Sequence, residues 1–137
     1  MKLRIVVVTP PLGVTFALQR GRFEFVPPAS CTPDGLAFDF DVRVGARPDG
    51  APNFLGPFTQ GPPTARFVYI NSGTSAGQSD SLWTRRAKVP LAGISHALIE
   101  KAGHDRILEA RIAGTGRDGG PACASVPLLG GWTVAER

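Results

Sequence analysis

Residues 36–44 read Leu-Ala-Phe-Asp-Phe-Asp-Val-Arg-Val, and no other segment of the chain restricts the fold as strongly. Leu36, Phe38, Phe40, Val42 and Val44 alternate with Ala37, Asp39, Asp41 and Arg43 through nine consecutive positions. Successive side chains of an extended backbone point to opposite faces, so this pattern describes a strand with one face in a core and the other in water. A sheet with one apolar face needs a second layer to cover it.

The rest of the chain repeats that period in shorter pieces. Residues 3–8, rich in Val and closed by Pro10-Pro11, read as a buried strand. Residues 14–19 put Val14, Phe16 and Leu18 on one face and Thr15, Ala17 and Gln19 on the other, and 23–26 form a short piece ending at Pro27-Pro28. A loop over 45–52 turns at Pro48-Asp49-Gly50. Segment 53–63 holds three Pro and two Gly, which excludes a regular central strand, although Phe54, Leu55 and Phe58 call for packing partners. Residues 66–71 read as an interior strand and 83–89 as another, joined by the polar loop 72–81. Residues 107–113 return to strand, Arg117-Asp118-Gly119-Gly120 suits a hairpin turn with 122–126 as the return arm, and 132–134 form a last strand.

A single segment has helical spacing. Ile94, Leu98 and Ala102 fall four apart with Ile99 beside them, Gly103 suits the position after the helix, and Gly93 or Ser95 could cap its start. About 8 strands and one α-helix near residues 94–102 predict a mainly β fold, an antiparallel β-sandwich or barrel, in a single domain over residues 1–137. Strands do not alternate with helices, which argues against a parallel α/β sheet. A chain of 137 residues can bury such a core without metals or cross-links.

Charge and cysteine usage narrow the function classes. The net charge is +4 and the pI about 9.7, but Lys and Arg are spread without a basic block, which argues against nucleic acid as a partner. The N-terminal apolar stretch is too short for a secretory leader, and no segment approaches the roughly 20 apolar residues that cross a bilayer. The expectation is a soluble, cytoplasmic protein with no membrane partner. Cys31 and Cys123 are too few for a disulfide scaffold and match no zinc spacing, and a bridge between them stays open. His96 and His104 stand eight residues apart with no Cys or carboxylate cluster to complete a metal site, so neither metal nor cofactor is expected.

Several motifs resemble chemistry without its context. Gly114-Thr115-Gly116-Arg117-Asp118-Gly119 spells G-x-G-x-x-G, but Gly120-Pro121 and a strand follow where the dinucleotide fingerprint needs a helix. Gly93-Ile94-Ser95-His96-Ala97 resembles a nucleophile elbow, yet Ala97 replaces the second Gly and His104 is the sole later His, so Ser95 reads as a helix cap. Asp39 and Asp41 share a strand face and read as solvated. Cys31, before Thr32-Pro33-Asp34, has no activating neighbour. No catalytic constellation emerges, and catalytic residues are unknown.

The cationic stretch is more informative. In Trp83-Thr84-Arg85-Arg86-Ala87-Lys88-Val89, alternation puts Arg86 and Lys88 on one face and Arg85 on the other, with Trp83, Ala87 and Val89. Arg85 then needs a pocket or a partner such as Asp39, Asp41 or Asp80. If 66–71 and 83–89 pair across the loop, Arg66 and Asn71 join this group, which could hold a carboxylate, phosphate or sulfate.

The segments Gly56-Pro57-Phe58-Thr59-Gln60-Gly61-Pro62-Pro63, Arg66-Phe67-Val68-Tyr69-Ile70 and Arg85-Arg86-Ala87-Lys88 form a specific combination, closed by Asp118-Gly119-Gly120-Pro121-Ala122-Cys123-Ala124. On these the chain resembles, over nearly its whole length, an uncharacterised bacterial domain-of-unknown-function family (DUF family 5990). That resemblance implies one compact domain and assigns no site residue.

Three functional expectations follow. The first is a small β binding module for a polar or anionic small ligand, or a protein partner, near Arg66, Tyr69, Asn71, Arg85, Arg86 and Lys88. The second is a small enzyme of unknown reaction with a site near Asp39, Asp41, Tyr69 and Arg85. The third is a self-associating structural domain, a homodimer paired through strand edges.

Overall fold

In a computed structural model, residues 1–19, 25–32, 35–45, 52–56, 66–73, 85–114 and 123–136 are described. They form β1 (Lys2–Val8), β2 (Thr15–Gln19), β3 (Phe25–Val26), β4 (Ser30–Thr32), β5 (Gly35–Asp41), β6 (Arg43–Gly45), β7 (Asn53–Gly56), β8 (Phe67–Gly73), β9 (Arg85–Pro90), α1 (His96–Ala102), β10 (Arg106–Ala113), β11 (Cys123–Ser125) and β12 (Thr133–Glu136). The expected turns at 48–50 and 117–120, Phe58, Trp83 and Asp80 fall outside the described residues.

Ten of these strands make two five-stranded sheets, one in the order β12-β10-β1-β5-β4 and the other β11-β9-β8-β2-β3, and β6 and β7 form a separate ribbon. Neither sheet closes on itself, so the sandwich is adopted and the barrel is not. Leu3, Ile5 and Val7 of β1, Phe38 and Phe40 of β5, and Leu108, Ala110 and Ile112 of β10 form the inner face of the first sheet. They share one core with Phe16 and Leu18 of β2, Val68 and Ile70 of β8, and Val89 of β9. Alternation along each strand is what makes this core, because every second side chain is taken out of water.

The period-2 segment at 36–44 leaves the first sheet earlier than its pattern implies. β5 ends at Asp41, Val42 still exchanges backbone hydrogen bonds with Met1, and the chain then departs to form β6 against β7. Alternation reports which way side chains point and not which partner the backbone has, so one uninterrupted pattern spans two ladders. Segment 53–63 supplies the short β7, and its Phe54 is buried as expected.

Two pairings depart from the antiparallel rule. β1 runs parallel to β10, and β11 runs parallel to β9. The expected hairpin between 107–113 and 122–126 is therefore not formed: β10 lies in the first sheet between β1 and β12, whereas β11 edges the second. β10 and β11 thus belong to different layers, and turn-forming residues do not by themselves say whether the chain returns beside itself or crosses over.

The helix begins at His96, two residues later than its apolar spacing suggests. Ile94 is buried in the turn before it, with its N–H donating to Leu91 O at 3.2 Å. Ser95 is the cap: its hydroxyl accepts from the Leu98 N–H, and the Gly103 N–H closes the other end on the Ile99 carbonyl. Leu98 and Ile99 pack on the core and Ala102 is inside it. Trp132 is buried in the same core, its indole N–H donating to Pro90 O at 3.1 Å.

Candidate functional site

β8 and β9 pair antiparallel, with Tyr69 opposite Lys88, Asn71 opposite Arg86 and Ser72 opposite Arg85. Ile70 and Ala87, also opposite each other, belong to the core side. Alternation therefore places Phe67, Tyr69, Asn71, Arg86 and Lys88 on the outer face of the second sheet, joined from β2 by Gln19, which is opposite Tyr69. Arg85 shares the inner side with Ala87 and Val89, as the sequence pattern predicts.

On the outer face the side chains are tied together in sequence. Asn71 has no exposed surface, and its amide nitrogen donates to Gln19 Oε1 at 3.1 Å. Its amide oxygen accepts from Arg86 Nε at 3.2 Å. The Arg86 guanidinium lies 4.7 Å from the centre of the Tyr69 ring, and the Lys88 ammonium 5.1 Å from that of Phe67. The two rings meet edge to face at 5.1 Å. A ring face attracts a cation through its quadrupole, so each charge is steadied from behind without being neutralised.

The two sheets differ in how their cations are balanced. On the first, Arg4 makes a two-pronged contact with Asp39, from Nε at 2.7 Å and from an η nitrogen at 3.1 Å. The hydrogen bond that Arg4 donates to Asp39, opposed by partial burial and helped by the charges of Asp39 and Glu109, holds the Arg4 guanidinium above its ordinary pKa. Lys2 reaches Asp41 at 3.6 Å, Arg111 reaches Glu109 at 3.2 Å and Arg106 reaches Glu136 at 3.9 Å. On the second sheet, no carboxylate among the described residues lies within salt-bridge distance of Arg86 or Lys88.

The other singled-out residues are dispersed. Arg66 donates to the Phe54 carbonyl oxygen and so ties the start of β8 to β7. Asp39 and Asp41 are spoken for by Arg4 and Lys2, and they lie on the opposite sheet from Tyr69. Cys31 is an exposed, unbridged thiol on the edge strand β4. No group of three or more His, Cys, Asp or Glu among the described residues could hold a metal ion, and no helix among them is long and apolar enough to cross a membrane. Gly114 of the G-x-G-x-x-G string sits against backbone, where a Cβ would stand 2.8 Å from Val8 O and 2.9 Å from Thr9 O. Its lack of a side chain serves the junction of β10 with the end of β1.

Gln19 is the member of the outer-face group that sequence reading passed over. Its parity with Thr15 and Ala17 was visible, but nothing local says that β2 lies beside β8. The family model described as Family of unknown function (DUF5990) matches residues 1–135. The chain belongs to the DUF5990 family. No curated protein and no solved structure matches it. In this DUF5990 protein the outer face of β8 and β9 is where Arg86 and Lys88 stand without an acid among the described residues.

Proposed function

We propose that this protein is a small binding module that takes an anionic or polar small ligand on the outer face of its second sheet. Arg86 and Lys88 are the charged contacts, Tyr69 and Phe67 back them, and Asn71 orients Arg86. The observation behind this reading is the contrast in charge balance: Lys2, Arg4, Arg106 and Arg111 each have an acid within 4 Å, whereas Arg86 and Lys88 have none among the described residues. Partly buried cations without acids attract an external anion strongly, since less water screens them. Arg66 and Arg85 lie off this face and take no part in it.

An enzyme built on Asp39, Tyr69 and Arg85 has less support. The three occupy the outer face of one sheet, the outer face of the other, and the inner side of β9. A cytoplasmic setting belongs to the same proposal, supported by the exposed thiol of Cys31, since unpaired thiols persist in reducing compartments.

Thermal unfolding in a panel of anions at constant ionic strength tests the reading. A ligand present at about 100 times its dissociation constant adds about 2.7 kcal/mol to stability. Arg86→Met and Lys88→Met should abolish that gain, while Arg4→Met should retain it. The absence of a shift with every anion, or a shift that persists in both outer-face variants, excludes the proposed site.

A further inference from the structure

The anion-binding reading above can be deepened to a ligand class. Lys88 stands opposite Tyr69 but lies over Phe67, and Arg86 stands opposite Asn71 but lies over Tyr69. Both side chains thus lean by one same-face step toward the start of β8. Leaning the same way, they rise from neighbouring same-face positions of β9, about 6.7 Å apart along the backbone.

Each head donates to an anion oxygen at about 2.8 Å, so a group whose oxygens diverge in several directions is best suited to serve both. A carboxylate offers two oxygens along one edge, which a single guanidinium occupies. A phosphate offers three or more divergent acceptors and close to two negative charges, matching two cations without an acid of their own.

The donors left over fit the same group. Arg86 Nε is engaged by the Asn71 amide oxygen, which leaves the η nitrogens of the guanidinium for a ligand. Asn71 can present that oxygen because its amide nitrogen is held by Gln19 Oε1. A flipped amide would set N–H against N–H at Arg86 and oxygen against oxygen at Gln19.

We infer that Arg86 and Lys88 together bind one phosphate group, free or as a small phosphate monoester, with Gln19 and Asn71 as positioning residues that orient the Arg86 fork. The inference rests on the outer face being a binding surface.

Isothermal titration of the full chain with sodium phosphate, glycerol phosphate, succinate and acetate at constant ionic strength tests it. Phosphate or glycerol phosphate should bind about tenfold or more tightly than acetate and succinate. Arg86→Met and Lys88→Met keep an apolar stem over each ring, so the unliganded melting temperature reports an intact fold, and each should weaken phosphate by about tenfold or more. Tighter binding of glycerol phosphate assigns the monoester as the ligand, and equal or weaker binding assigns free phosphate. Succinate or acetate binding as tightly as phosphate, with the same dependence on Arg86 and Lys88, overturns the phosphate assignment and leaves the anion face standing. No binding of any anion overturns both.

For the positioning pair, the nitrogen resonance of Arg86 Nε should move in Gln19→Met and return in Gln19→Glu, which restores an acceptor. An unmoved signal in Gln19→Met removes Gln19 from the proposal.

Discussion

At Gly35 the backbone leaves no space for a side chain: a Cβ would stand 2.0 Å from Val7 O, and φ is +153°. Gly13 has a positive φ of +78° but open space around it. Gly35→Ala should therefore cost roughly 2–4 kcal/mol, against about 1–2 kcal/mol for Gly13→Ala, which meets only the left-handed backbone penalty. Denaturant midpoints compare the two, and equal losses would mean that the close approach to β1 does not select the glycine. Asp39 belongs to the same scale. Its contact with Arg4 is two-pronged and partly shielded, with a quarter of the Asp39 side chain exposed. Asp39→Asn is expected to lose about 1 kcal/mol in urea unfolding and to leave anion binding on the far sheet unchanged. Loss of binding together with stability would bring the enzyme reading back.

Among the elements, α1 is the one whose own sequence cannot sustain it, since seven residues fall well short of a helix stable in isolation. It is held by Ile99, Leu98 and Ala102 against the core and by Ser95 at its start. Ser95→Ala should lower stability by about 1 kcal/mol while Ser95→Asp retains it, since either oxygen accepts from the Leu98 N–H. A nucleophile would tolerate neither change in an activity assay, so the pair separates cap from elbow. β9 shows what an element discloses by itself. Its alternation puts Arg86 and Lys88 on one face and Arg85 on the other, and this was legible in the sequence because it depends on extended backbone alone. The Gln19–Asn71 bond spans 52 positions, and no local pattern announces a contact made by two strands that happen to be neighbours.

Across the whole molecule, protection should follow position in the sheets. β1 and β10 lie within the first sheet and β8 within the second, each hydrogen-bonded on both sides, whereas β3, β4, β11 and β12 are edges. Native-state hydrogen exchange should find the slowest amides in β1, β10 and β8 and the fastest strand amides in the four edges. Slow exchange along β4 or β12 in solution would instead reveal edge pairing between copies of the chain, the self-associating alternative.

Side-chain alternation and helical spacing, both properties of a few consecutive residues, were enough to establish a mainly β chain, most of its strands, the short helix and the split of cations across β9. The partners of those strands were not in that information. The parallel pairing of β1 with β10, the crossing from β10 to β11 where a hairpin was expected, and the departure of the chain at Val42 depend on which layers meet once the apolar faces are buried. Hydrophobic burial is non-directional, so it demands a second sheet without naming its neighbours. Tertiary packing made that choice, and with it placed Gln19 beside Asn71.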